Sequence, residues 1–336
     1  MRTLRTIVSA LLLSVFALSP ASALAAPTFA PPAPIAPHGI AYPAWSALWW
    51  QWAFGTPAAN NPVLDPSGAN CAVNQPAPGV FLLAGTFDGS AANRTCTAPL
   101  GTAFLIPMFN KAFAAQQTDP PDQRTEAFVR SQVACVGTPP ATLSLTVDGA
   151  SLPNPTSFLE QSNIFAITLL AGNIFGIPPQ VLSPSADQGF YGFVEPLTPG
   201  THTIHFTGTV PACGSLVPES TYTINVAGTV GTPRTCSGNQ QITLSNVAIQ
   251  SSQVALTVSG NCNVQITNSV LWGTGSAIVI HDQGHVIVNN STIGGSNFAI
   301  TADGHGHGEV RNSSVLSPNS VTQFAVVSDS GGNNGF

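Results

Sequence analysis

From residue 236 onward the apolar positions recur with a fixed period. Leu244, Ile266, Val288 and Val310 are each 22 residues apart, and so are Ile249, Leu271, Ile293 and Val315. A third column, Leu256, Ile278, Ile300 and Thr322, keeps the same interval. Asn246, Asn268, Asn290 and Asn312 run between the first two columns in unbroken register. A repeat of this length, made of short apolar runs and small turn residues, predicts a parallel β-helix. Each coil lays its strands about 4.8 Å above the last, and the aligned aliphatics stack inside. The asparagines are expected to form a ladder at a coil corner, each amide bonding to those above and below. About four such coils are predicted over residues 236–336, ending in the polar tail "SDSGGNNGF", which is expected to fray.

Ahead of the repeat the period falls to two. Leu143, Leu145 and Val147 alternate with polar residues before the turn Asp148-Gly149, and Tyr222, Ile224 and Val226 do the same. After Pro199-Gly200, His202, Ile204 and Phe206 alternate with Thr201, Thr203 and His205. Short alternating strands between Gly and Pro turns predict an antiparallel β-sandwich over 38–228, with 229–235 as a linker to the repeat. His202 and His205 are three apart on a strand, so they face opposite sides and read as structural. One or two helices interrupt the strands. In "YPAWSALWWQWAFGTP", Trp45, Trp49 and Trp52 fall at i, i+4 and i+7. That stripe fits a helix packed on a sheet better than a platform for sugar rings. Trp50 lies off the stripe and is the candidate exposed, ligand-binding aromatic. A second helix is expected with Asp122 as N-cap and Phe128, Val129 and Val133 inward. The predicted fold class is all-β, a sandwich followed by a short parallel β-helix.

The stretches "YPAWSALWWQWA", "NPVLDPSGANCAV", "RTCTAPLGTAFLIP", "NIFGIPPQ" and "LTPGTHTIHFTG" resemble a family of uncharacterised secreted bacterial proteins over roughly residues 40–226. The resemblance implies an exported domain and a Cys71–Cys96 bridge, and it carries no catalytic residues. The repeat, over 236–328, is similar to the right-handed parallel β-helix of the pectin-lyase-like superfold, with far fewer coils. That is a likeness of fold and says little about activity.

Composition narrows the setting. Arg2 and Arg5 precede the apolar run Ile7 to Leu18, and Ala23-Leu24-Ala25 offers a small-x-small cleavage site. Residues 1–26 therefore read as a secretory signal peptide, and the proline-rich stretch 27–37 as an extended, disordered leader. The run Ile164 to Ile177 is broken by Gly172, Asn173 and Gly176 and is too short to span a bilayer, which argues against an integral membrane protein. Six cysteines in an exported chain suggest three disulfides. Of the fifteen pairings possible, proximity favours Cys71–Cys96, Cys135–Cys213 and Cys236–Cys262. Charged residues are 7% of the chain and Lys111 is its sole lysine. Eight basic residues, two of them (Arg2 and Arg5) in the signal peptide, face fourteen acidic ones, which argues against nucleic acid or an anionic membrane as a partner.

The densest chemistry lies in "ADGHGHGE", residues 302–309. By the 22-residue register Asp303 stacks on His281, His305 on Gln283 and His307 on His285, with Asp282 and Glu309 close by. The stretch is first a coil corner whose glycines supply turn conformations. Two stacked imidazoles one strand spacing apart could also share a divalent ion, with Asp303 or His305 completing the set. Imidazole outnumbers carboxylate there, which points to a transition metal rather than calcium. Three functions compete on this sequence. The leading one is an exported, non-catalytic binding or surface protein with an extracellular glycan as partner. The second is a polysaccharide-degrading enzyme of the β-helix type, with Asp282 and Asp303 as its carboxyl pair. The third is a transition-metal-binding protein using His285, His307, His305 and Asp303. The first needs no cofactor, and only the third requires an ion.

Overall fold

The computed structural model describes residues 27–34, 36–77, 79–316 and 326–333, so residues 1–26, expected to be a signal peptide, lie outside the described residues. The chain is all-β with few helices, and its C-terminal part is a parallel β-solenoid.

Two sheets face each other in the N-terminal part. The first runs in the order Val80–Leu82, Ala103–Ala114, Gln180–Val194, Leu159–Gln161, and Phe165–Leu169 also pairs with the long strand Gln180–Val194. The second runs Ala91–Ala98, Glu219–Val226, Gly200–Thr209, Thr142–Val147, Ala150–Ser151. Most pairs are antiparallel, but each sheet carries one parallel pair, so the expected antiparallel sandwich is met in part. Period-two alternation sends Leu145, Ile204, Phe206, Tyr222 and Ile224 into the space between the sheets, where they are buried against Phe104, Ile106 and Phe193. The sheets approach closely because Gly192 and Gly208 have no side chain; a Cβ there would overlap Leu145 and the Met108 carbonyl respectively. Arg94 is buried without a carboxylate partner and spends its guanidinium on the carbonyls of Val63, Asp65, Ala84 and Gly85.

Helix α1 (Tyr42–Gly55) packs on the first sheet with all four of its tryptophans buried. Each indole N–H finds an acceptor: Trp45 the Pro37 carbonyl, Trp49 the Leu83 carbonyl, Trp52 the Val73 carbonyl and Trp50 the Asp187 carboxylate. Trp50 is thus not the exposed aromatic expected, because a helix lying over a sheet and under flanking loops covers more than one stripe. Helix α2 (Glu126–Val133) buries Val129 and Val133 as expected, but its cap is Thr125, whose hydroxyl accepts from the Phe128 amide. Asp122 sits instead in a preceding 3₁₀ turn. The leader is not detached: Phe29 bridges Val194, and the Ala30 amide donates to the Phe193 carbonyl at 3.0 Å.

The solenoid has three faces, each a parallel sheet. One coil reads Asn263–Thr267 on the third face, Val270–Gly273 on the first and Ser276–Ile280 on the second. Neighbouring coils pair at an offset of 22, Asn263 with His285 and His285 with His307. The three apolar columns of the sequence fill the interior, and every described member is buried; Thr322 lies outside the described residues. Residues 229–235 are not a linker. Thr229–Gly231 and Arg234–Cys236 are strands of the first coil, the former pairing Thr229 with Val247 only 18 residues on, which hides it from a search at the 22-residue period. At the other end, Val326–Asp329 pairs with His307–Val310, and Asn333 accepts from the Ser313 amide and donates to the Val310 carbonyl. The tail is therefore tied down as far as Asn333.

Cys71–Cys96, Cys135–Cys213 and Cys236–Cys262 are the three disulfides, with Cα separations of 6.0, 5.2 and 5.9 Å. The last joins the first two coils. Three bridges suit an oxidising, extracellular setting. Among the described residues no helix is long and apolar enough to cross a membrane.

Candidate functional site

The first face of the solenoid lies against the sandwich. Ala248 and Val270 join the sandwich core, the Thr292 hydroxyl donates to the Gly101 carbonyl, and buried His38 bridges Ser314 and Glu195. Beside this contact a groove of about 410 Å³ opens between the two parts. Its floor comes from Gln250, Trp272 and Leu316, which the parallel register stacks in one column with Gly294 between the last two. The opposite wall is the 195–202 segment together with Asp148.

Trp272 is the half-buried aromatic of this groove. Its six-membered ring abuts Gly294, where a Cβ would overlap it, so the glycine is what leaves room for the indole. Of the five tryptophans of the chain it alone has an indole N–H without an acceptor among the described residues. Nearby, Glu195 gives one oxygen to His38 at 3.2 Å and keeps the other, and the Gln250 amide is exposed. Asp148 is committed elsewhere: one oxygen meets His202 Nδ1 at 2.6 Å and the other accepts the Thr203 amide. That bond and the Thr198 carbonyl hold buried His202 in place, a structural role, while His205 pairs with Glu219 on the opposite side of the strand. Among the described residues no lysine or arginine lines the groove.

A second cavity, about 240 Å³, is apolar and lined by Trp50, Phe54, Phe87 and Leu216 with Lys111 at its edge. Behind it Asp187 is fully buried. It accepts from Trp50 Nε1 at 2.6 Å and from the Tyr191 hydroxyl at 2.9 Å. Burial pushes this carboxyl up to about 8, and the hydrogen bonds from Trp50 and Tyr191 only partly offset that. The cluster ties α1 to the sheet.

The histidine-rich corner divides in two. Asp303 and His305 belong to the turn between the second and third faces and are exposed. Asp303 takes His281 Nδ1 at 2.8 Å, as the register requires, and Asp282 accepts the Gly260 amide. His307 and Glu309 instead lie on the following strand, His307–Arg311, beside His285 of the coil below. The two imidazoles are stacked with centroids 5.0 Å apart and 27° between planes. Ligand atoms of His285, His307 and Glu309 all lie within 4.8 Å of one another. The structure thus groups two of the four expected ligands with Glu309, and leaves Asp303 and His305 to the corner. Burial and then the neighbouring His307 hold His285 below the usual histidine range, with Glu309 opposing them.

No family model, curated protein or solved structure matches the chain. The resemblance over residues 40–226 gains no support from these comparisons, and the likeness of the repeat to a β-helix stands on its own register. Trp272 was not singled out in the sequence, although its signal was there. The interval that aligns the aliphatic columns also places Trp272 over Gly294. Glu195 and Asp148 gave no such signal, because only tertiary packing brings them opposite the repeat.

Proposed function

We propose that the chain is an exported, non-catalytic binding protein that recognises a neutral carbohydrate in the groove between sandwich and solenoid. The observation that carries this reading is Trp272, a half-buried residue of the groove whose ring abuts Gly294 and whose N–H has no acceptor among the described residues. A pyranose ring offers a C–H face that packs on an indole and hydroxyls on its edge that need fixed polar partners. Trp272 Nε1, the Gln250 amide and the free oxygen of Glu195 supply both donors and acceptors. A groove with the Glu195 carboxylate and no lysine or arginine among its described lining residues disfavours a uronate, which would bring like charge against Glu195.

Calorimetry and tryptophan fluorescence with a panel of neutral and acidic oligosaccharides test this. A neutral glycan is expected to bind, and Trp272→Ala to abolish binding while the fold persists. Gly294→Val, which dislodges the indole without removing any polar group, is expected to weaken binding at least tenfold. A Trp272→Ala protein that binds as well as the native one sinks the proposal. Release of reducing ends that depends on Asp282 or Asp303 would replace it with the enzymatic reading.

A further inference from the structure

We propose that His285, His307 and Glu309 form a binding site for one divalent transition-metal ion on the outer third face of the solenoid, a surface separate from the groove. Parallel in-register pairing stacks His285 and His307 on successive coils. Strand alternation turns Glu309, two residues on, to the same side as His307. Three donors of the kinds that borderline ions prefer are thereby collected by the backbone itself.

A second observation concerns the proton on His285. Its Nδ1 lies 3.2 Å from the Asn263 side-chain oxygen, on the coil below. An amide oxygen only accepts, so Nδ1 carries the hydrogen and Nε2 keeps its lone pair for a metal. This is the outer support that orients ligating imidazoles and fixes their tautomer. On the carboxylate, Arg311 holds one oxygen of Glu309 at 2.8 Å and leaves the other free to ligate. Arg311 is also a cation close to the ion, so the site is expected to bind less tightly than a buried one.

The donors now stand up to 4.8 Å apart. A tetrahedral ion needs them about 3.3 Å apart. All three side chains are half-buried, so rotation about their χ angles is the movement open to them for bringing the donors together. Two imidazoles and one carboxylate leave a further position for water. That set suits zinc, nickel or copper, whereas calcium requires six to eight oxygens.

The test uses untagged full-length protein, zinc chloride for calorimetry and cobalt chloride for visible spectroscopy. One equivalent of zinc is expected to bind and to raise the melting temperature. His285→Ala, His307→Ala and Glu309→Gln should each weaken binding at least about tenfold. His281→Ala and Asp303→Asn, at the neighbouring corner, should not change it. Cobalt should give d–d bands that the His285→Ala/His307→Ala protein lacks. Circular dichroism without metal checks that each variant is folded, and His307→Gln serves if His307→Ala is not. The proposal is overturned if native protein shows no saturable zinc binding, or if the double variant binds as the native protein does. It is also overturned if binding is lost in His281→Ala and kept in His307→Ala. None of these results depends on whether a glycan binds in the groove.

Discussion

Asp187 shows how one residue can be fixed by its surroundings rather than by its type. The strand Gln180–Val194 carries it under α1, where Trp50 and Tyr191 donate to it. Its folded pKa of about 8 against an ordinary 3.8 means the folded state holds more protons between those values. Stability should therefore be greatest at acid pH and fall as pH rises through that window. Thermal melts at pH 5, 6, 7 and 8 are expected to fall more steeply for the native chain than for Asp187→Asn, which cannot ionise. Parallel profiles would show that Asp187 titrates as an exposed carboxyl does. Trp272 is the counterpart at the surface. It is half-buried, and only a glycine at position 294 leaves room for its ring.

Among elements, the coil corner after each third-face strand corrects the ladder expected from the sequence. Asn246, Asn268, Asn290 and Asn312 all have positive φ, +52°, +49°, +48° and +47°. They stand at exposed or half-buried positions, and only the Asn290 amide donating to Asn268 makes an amide-to-amide rung among them. The asparagines recur chiefly because asparagine tolerates the left-handed backbone that the corner requires. The hydrogen-bonded ladder is the next position. Ser269, Ser291 and Ser313 are buried, and each hydroxyl accepts the amide of the residue 22 back in the preceding coil while donating to a carbonyl two residues before it. Two outcomes follow for urea unfolding. Ser291→Ala should cost about 1–3 kcal/mol, the penalty for leaving the buried Ser269 amide unpaired. Asn268→Gly should be nearly neutral and Asn268→Val should cost about 1–2 kcal/mol, since only the latter is strained at positive φ. Equal costs for the glycine and valine variants would restore the amide ladder as the reason for the repeat.

At the scale of the molecule, sandwich and solenoid share buried surface. Ala248 and Val270 of the solenoid lie within the sandwich core, and His38 ties Glu195 to Ser314 through both ring nitrogens. The two parts are expected to unfold in one calorimetric transition, with calorimetric and van't Hoff enthalpies equal. His38→Ala should lower that transition and broaden it. Two transitions in the native chain would mean that the interface couples the parts weakly, and the groove would then lack a fixed far wall.

The solenoid was legible in the sequence because its contacts are local in register. A residue meets the one 22 positions away, so a column of aliphatics, a turn residue, or the His285–His307 stack can be read from spacing alone. Alternation likewise marked which strand positions of the sandwich face inward, and proximity along the chain selected the disulfides. The rest was decided by tertiary structure. The first coil departs from the period, so residues 229–235 read as a linker. The burial of Trp50 depends on residues remote in sequence, Asp187 on the long strand beneath α1 and Phe87, which packs against its ring. Glu309 displaces Asp303 and His305 from the candidate metal site because strand alternation, not position in the cluster, sets which way a side chain points. The groove exists only where one face of the repeat meets a segment some seventy residues earlier, a non-local pairing that no periodicity in the sequence records.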